Sequence, residues 1–121
     1  MLLDLRQGSI HTFKVNDSYV GERIVINGLH YAKTAFEKAQ TILIDAAKQS
    51  LDWLIIDEVG RLEVEQGEGL EPAVLRIVSA FQSGLIRGKL LLIIPDNLLK
   101  VAIAKYDLLG CRIFSNDFPE V

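Results

Sequence analysis

Leu51-Asp52-Trp53-Leu54-Ile55-Ile56-Asp57-Glu58-Val59-Gly60-Arg61-Leu62-Glu63 is an apolar run that ends in two acids and then a glycine. Leu51 to Ile56 is too short for a helix and too uniformly apolar for an exposed strand, so it reads as a strand covered on both faces. Such strands belong to parallel sheets flanked by helices, and the chain must leave the core at their carboxyl ends. Successive strand residues point to opposite faces, so only one of Asp57 and Glu58 can follow the core direction. The other needs water, a metal or a partner. Two carboxylates at this place can hold the water shell of Mg²⁺ and polarise a water molecule, although an acid here is also a common way for an α/β chain to reach solvent.

Upstream, Ala32, Ala35, Phe36, Ala39, Ile42, Leu43, Ala46 and Ala47 recur at helical spacing and predict a helix from Tyr31 to about Gln49. Asn27-Gly28 is expected to turn the chain into that helix. Before it, the partly alternating runs Ile10 to Val15 and Glu22 to Ile26 predict two or three antiparallel strands. Downstream, Glu65-Gln66-Gly67-Glu68-Gly69 is a polar loop. Glu71-Pro72 then opens a second helix, because proline suits a first turn and acids suit the positive end of the helix dipole.

Val74, Ile77, Val78 and Phe81 form the buried stripe of this second helix, and Gly84 stops it. Lys89 to Ile94 predicts a second buried strand, closed by Pro95. A third helix over Asn97 to Leu109 would turn Leu98, Val101, Ala102 and Leu109 inward, with Cys111 to Phe114 as a last strand. The order argues for an α/β fold of three layers: a partial parallel sheet flanked by helices, after an N-terminal β-hairpin or antiparallel segment. One domain over 1–121 is expected, β-rich over 1–27 and alternating over 28–121. In such sheets ligands bind outside the carboxyl ends of the strands, where Asp57, Glu58, Pro95 and Asp96 fall.

The chain has 121 residues, 50% of them hydrophobic and 24% charged, which is the composition of a globular domain. A net charge of −3 without a basic stripe gives no electrostatic footprint for nucleic acid or an anionic membrane. Cys111 is the single cysteine, so no intrachain disulfide forms, and within an apolar strand it reads as a small core residue. Runs such as Leu90-Leu91-Leu92-Ile93-Ile94 fall far short of the roughly 18 residues a membrane span needs. Met1-Leu2-Leu3 gives way at once to Asp4 and Arg6, unlike a signal peptide, so a cytoplasmic location is expected. His11 and His30 lack partners at ligand spacing, which argues against zinc.

The stretch from Asp52 to Glu63 resembles the pattern (apolar)-I-D-E-(I/V)-G-(K/R)-(M/L)-E of the thermophilic-type nucleoside-triphosphatase family, small P-loop enzymes that hydrolyse nucleoside triphosphates. Val25-Ile26-Asn27 followed by Phe36-Glu37-Lys38-Ala39 is similar to that family's V-N-x(n)-F-E-x-A lead-in. The similarity spans roughly Gly21 to Ile94. It implies that Asp57 is the Walker-B aspartate, holding Mg²⁺ through water, and that Glu58 activates the hydrolytic water. It also implies that Arg61 lies near nucleotide phosphates, with Glu63 a weaker metal candidate. From the residues alone, Arg61 and Glu63 read at least as well as a surface ion pair.

A phosphate loop, G-x-x-x-x-G-K-[ST] between a strand and a helix, does not occur in these residues. Gly84-Leu85-Ile86-Arg87-Gly88-Lys89-Leu90 comes nearest, but its glycines are one residue too close, Leu90 has no hydroxyl, and the segment leads into a strand. In the family that loop precedes a β-hairpin region, to which Met1 to Val20 would correspond. The expectation is a nucleoside-triphosphatase-like chain, degenerate or dependent on another chain, that takes nucleoside triphosphate and Mg²⁺ only with that help. The alternative is a non-catalytic interaction or dimerisation module that retains the fold. A third reading, a metal-dependent phosphohydrolase or nuclease on Asp57, Glu58 and Glu63, needs a further ligand, and the acidic surface speaks against nucleic acid. Loss of the phosphate-loop strand predicts an uncovered edge or apolar face, open to a homodimer or a partner chain. Trp53 and the apolar faces of the Tyr31 helix are candidates for that contact, although they read better as ordinary core residues.

Overall fold

The computed structural model describes residues 2–4, 9–11, 14–49 and 51–114. The chain is mixed α/β. A short antiparallel pair, β1 (Leu2–Asp4) and β2 (Ser9–His11), is followed by the hairpin β3 (Arg23–Ile26) and β4 (Leu29–Ala32), which runs into α1 (Lys33–Ala47). Then come β5 (Trp53–Asp57), the single turn α2 (Arg61–Val64), α3 (Glu71–Gln82), β6 (Lys89–Ile93), a 3₁₀ turn over Asp96–Leu98, and α4 (Leu99–Tyr106). β5 and β6 pair in parallel, Trp53 opposite Lys89 and Asp57 opposite Ile93.

The turn at Asn27-Gly28 corrects the expected helix entry. With Ile26 opposite Leu29, these two residues are the whole loop of a hairpin, and both have positive φ, 50° and 78°. That is the twist a two-residue hairpin loop demands, and Asn and Gly are the residues that adopt it most cheaply. The strand they start uses up Leu29 to Ala32, so the helix begins at Lys33. Ala35, Ala39 and Ala47 face inward from α1. Small side chains there let α1 lie close to α3, against which it packs.

α3 follows expectation: Glu71-Pro72 starts it, Ala73, Val74, Ile77 and Val78 are buried, and Gly84 at φ 76° turns the chain away. Together with Leu54, Ile56, Val59, Val64, Ala102 and Tyr106 they form the core. Ile56, Val59 and Val74 are its most completely buried larger side chains. Each contributes on the order of 2 kcal/mol through apolar transfer.

Three expectations for the second half are corrected. Among the described residues, helices cover β5 on one face only: Leu54 and Ile56 point into the core, while Trp53 and Ile55 are 52% and 53% exposed. Trp53 is therefore not a core residue, and the described sheet has two layers around it rather than three. In α4 the inward residues are Ala102 and Tyr106, continuing from Leu98, whereas Val101 and Leu109 face solvent. A four-residue step carries one stripe along the helix, and Asp107 in the left-handed conformation then reverses the chain so that Leu108 turns in. Cys111 to Phe114 are not a strand, and Cys111 is exposed. Among the described residues no helix is long and apolar enough to cross a membrane.

Candidate functional site

Because β5 and β6 are parallel and in register, their carboxyl ends meet at one edge. Asp57 is the last residue of β5, opposite Ile93, and Glu58 follows it through a cis peptide bond. Both acids are exposed, as is Asp96 just beyond β6. Directly after the acids the chain is tied down: the Val59 amide donates to the Ile93 carbonyl at 2.9 Å, and the Val59 side chain is fully buried. The acids therefore stand on a rigid shoulder.

Glu63 is placed quite differently. It is 5% exposed, and its Oε1 accepts the Gly60 amide at 3.1 Å, closing the turn that carries the chain from the acids into α2. Burial pushes its carboxyl above the usual range; the Gly60 and Leu70 amides pull it back, while Glu71 and Glu58 push it further up. Its carboxylate lies against Gly69, whose φ is 66°. Gly69 is held in turn from α1, by Gln40 Nε2 donating to its carbonyl at 2.7 Å. Arg61 pairs with Glu65, 3.4 Å away and one turn on, both largely exposed. The expected Arg61 ion pair is thus made with Glu65, and Glu63 serves the loop instead.

Beneath this lies an ionic network around the buried Glu71, with little local sequence signature. Glu71 is buried at the start of α3. It accepts the Tyr106 hydroxyl at 2.5 Å on Oε2, and its Oε1 is 2.8 Å from Lys105 Nζ. The Lys105 ammonium also donates to the Glu63 and Val64 carbonyls at 2.7 and 3.1 Å, where α2 ends. Burial, then the Glu71 carboxylate, hold the Tyr106 phenol well above its usual range, so it stays a donor. Glu71 was legible only as a favourable first-turn acid, because its partners lie more than thirty residues later. A lysine next to the tyrosine that continues the Leu98–Ala102 stripe is the one hint the chain offers.

The two acids offer hard oxygen ligands of the kind that hold Mg²⁺ through one or two carboxylates with most of its waters kept. Among the described residues no three His, Cys, Asp or Glu side chains gather as a metal-ligand group. Two of the clefts among the described residues lie elsewhere. One of about 820 Å³, lined by Lys48, Arg76 and Arg87 among apolar residues, lies between α1, α3 and the loop before β6. The other, about 630 Å³, lies between the β3–β4 hairpin, α1 and the Gly67–Gly69 loop. Neither includes Asp57 or Glu58. The acids thus stand exposed at the edge of the β5–β6 pair, outside both clefts. No family model, curated protein or solved structure matches this chain.

Proposed function

We propose that Asp57 and Glu58 are the metal- and water-handling half of a nucleoside-triphosphatase-type site on a P-loop-like α/β fold. The phosphate-binding half would come from residues outside this sequence. The observation that carries the reading is the pair of exposed carboxylates at the carboxyl end of a parallel strand, braced by the Val59–Ile93 hydrogen bond. Asp57 would hold hydrated Mg²⁺, which supplies charge neutralisation for a triphosphate. Glu58 would orient and deprotonate a water molecule. Alone, two carboxylates repel a triphosphate, so this chain by itself is expected to neither bind nor turn over Mg-ATP or Mg-GTP.

Mn²⁺ titration followed by NMR tests the half that is here. Paramagnetic broadening should centre on residues 57–59 and vanish in Asp57→Asn/Glu58→Gln. Broadening centred elsewhere, or unchanged in the double variant, would overturn the assignment. A second reading, a non-catalytic interaction module, is favoured by the uncovered apolar face of β5 and β6. The two readings separate cleanly, since the module needs neither metal nor nucleotide.

A further inference from the structure

The outer face of the β5–β6 pair carries Trp53, Ile55 and Asp57 from one strand and Lys89, Leu91 and Ile93 from the other, in register. Alternation puts these six on one side; Leu54, Ile56, Leu90 and Leu92 pack on the core from the other. Trp53, Ile55 and Ile93 are 52%, 53% and 39% exposed. Parallel strands are ordinarily covered on both faces, so an open one is an anomaly that calls for a cover.

The charges on this face say which cover fits. Lys89 stands at one end, its ammonium 5.1 Å from the centre of the Trp53 ring. Asp57 stands at the other end, diagonally across the sheet, and the middle is apolar. We propose that this face docks on the same face of a second copy of the chain, with the strands of the two copies antiparallel. A two-fold axis between the sheets, perpendicular to the strands, then brings each Asp57 over the partner's Lys89–Trp53 pair. The parallel arrangement would set like charges side by side. This inference rests on the interaction-module reading and is independent of nucleotide.

Strands of five residues at about 3.3 Å each make a patch roughly 17 Å long and two strands wide. That is well under the roughly 800 Å² per partner of a standard interface, so the dimer is weak and shows at high protein concentration. Trp53 is the single tryptophan, and its emission therefore reports on this face alone.

Sedimentation equilibrium and Trp53 fluorescence, both in EDTA to keep metal out, test the proposal. The expected result is a monomer–dimer equilibrium with Trp53 emission shifting to the blue as dimer forms. Lys89→Glu or Asp57→Lys alone should weaken association about tenfold or more, and the double reversal should restore most of it. A monomer at every concentration, an emission maximum that ignores concentration, or a double reversal as weak as the single ones combined would overturn it. Ile55→Glu provides a second check: a dimer that survives it does not use this face. The Mn²⁺ experiment repeated on Lys89→Glu separates the two proposals, because metal binding at Asp57 and Glu58 does not need the dimer.

Discussion

Replacing Lys105 by methionine keeps the aliphatic stem and removes the charge, which isolates the ammonium's role in the buried network. The Glu71 side chain is 4% exposed and would keep the Tyr106 hydroxyl on one oxygen, but lose its counter-charge on the other. Breaking a fully buried pair from one side costs about 3–5 kcal/mol. The Lys105 side chain is 28% exposed, so water reduces that to about 2–3 kcal/mol. The Glu63 and Val64 carbonyls lose their donor as well, adding about 1 kcal/mol. The sum of about 3–4 kcal/mol is a large part of an ordinary domain's 5–15 kcal/mol and lowers the melting temperature by roughly 12–16 °C.

Urea unfolding of the wild type, Lys105→Met, Glu71→Gln and the double variant at pH 7 closes the cycle. Glu71→Gln should cost less in the Lys105→Met background than in the wild type, by about 1–2 kcal/mol, because no buried charge is then left unpaired. Effects that add to within about 0.5 kcal/mol would show that Lys105 acts only by packing, and would refute the network.

Gly69→Ala should destabilise by roughly 2–4 kcal/mol, since its φ of 66° disfavours any side chain and the new methyl would meet the Glu63 carboxylate and the Leu62 side chain. Gly67→Ala, at the same φ but with open space around it, should cost only about 1–2 kcal/mol; equal losses in thermal melts would show that Glu63 does not pack there. Burial holds the folded Glu63 carboxyl above its unfolded value, so its contribution to stability is complete at low pH and is lost as pH rises through the raised value. Wild-type stability should therefore fall relative to Glu63→Gln as pH is raised from 4.5, the ordinary glutamate value; parallel urea midpoints across that range would contradict the burial argument.

The site was legible where its signal was local. Asp57 and Glu58 end an apolar run, and a strand must shed such residues into solvent, so their place at a carboxyl edge could be read directly. Glu63 could not be read in the same way. Three residues after Gly60 it looks like one more surface acid, and only the fold of the Gly67–Leu70 loop back over it makes it buried. The Asn27-Gly28 hairpin was legible in principle, because that dipeptide favours a two-residue hairpin turn. The helical periodicity after it masked the short strand Leu29–Ala32.

The amino-acid order by itself determined the elements α1, α3, β5 and β6 and the edge where the acids lie. Periodicity, capping residues and strand length act over a few residues and need no distant partner. Tertiary structure alone decided which side of β5 and β6 is covered among the described residues, that Cys111 to Phe114 are not a strand, and that Glu71, Lys105 and Tyr106 meet. Each of these depends on segments far apart in the chain arriving at one place. An apolar strand such as Trp53–Asp57 reads the same whether both of its faces are covered or only one.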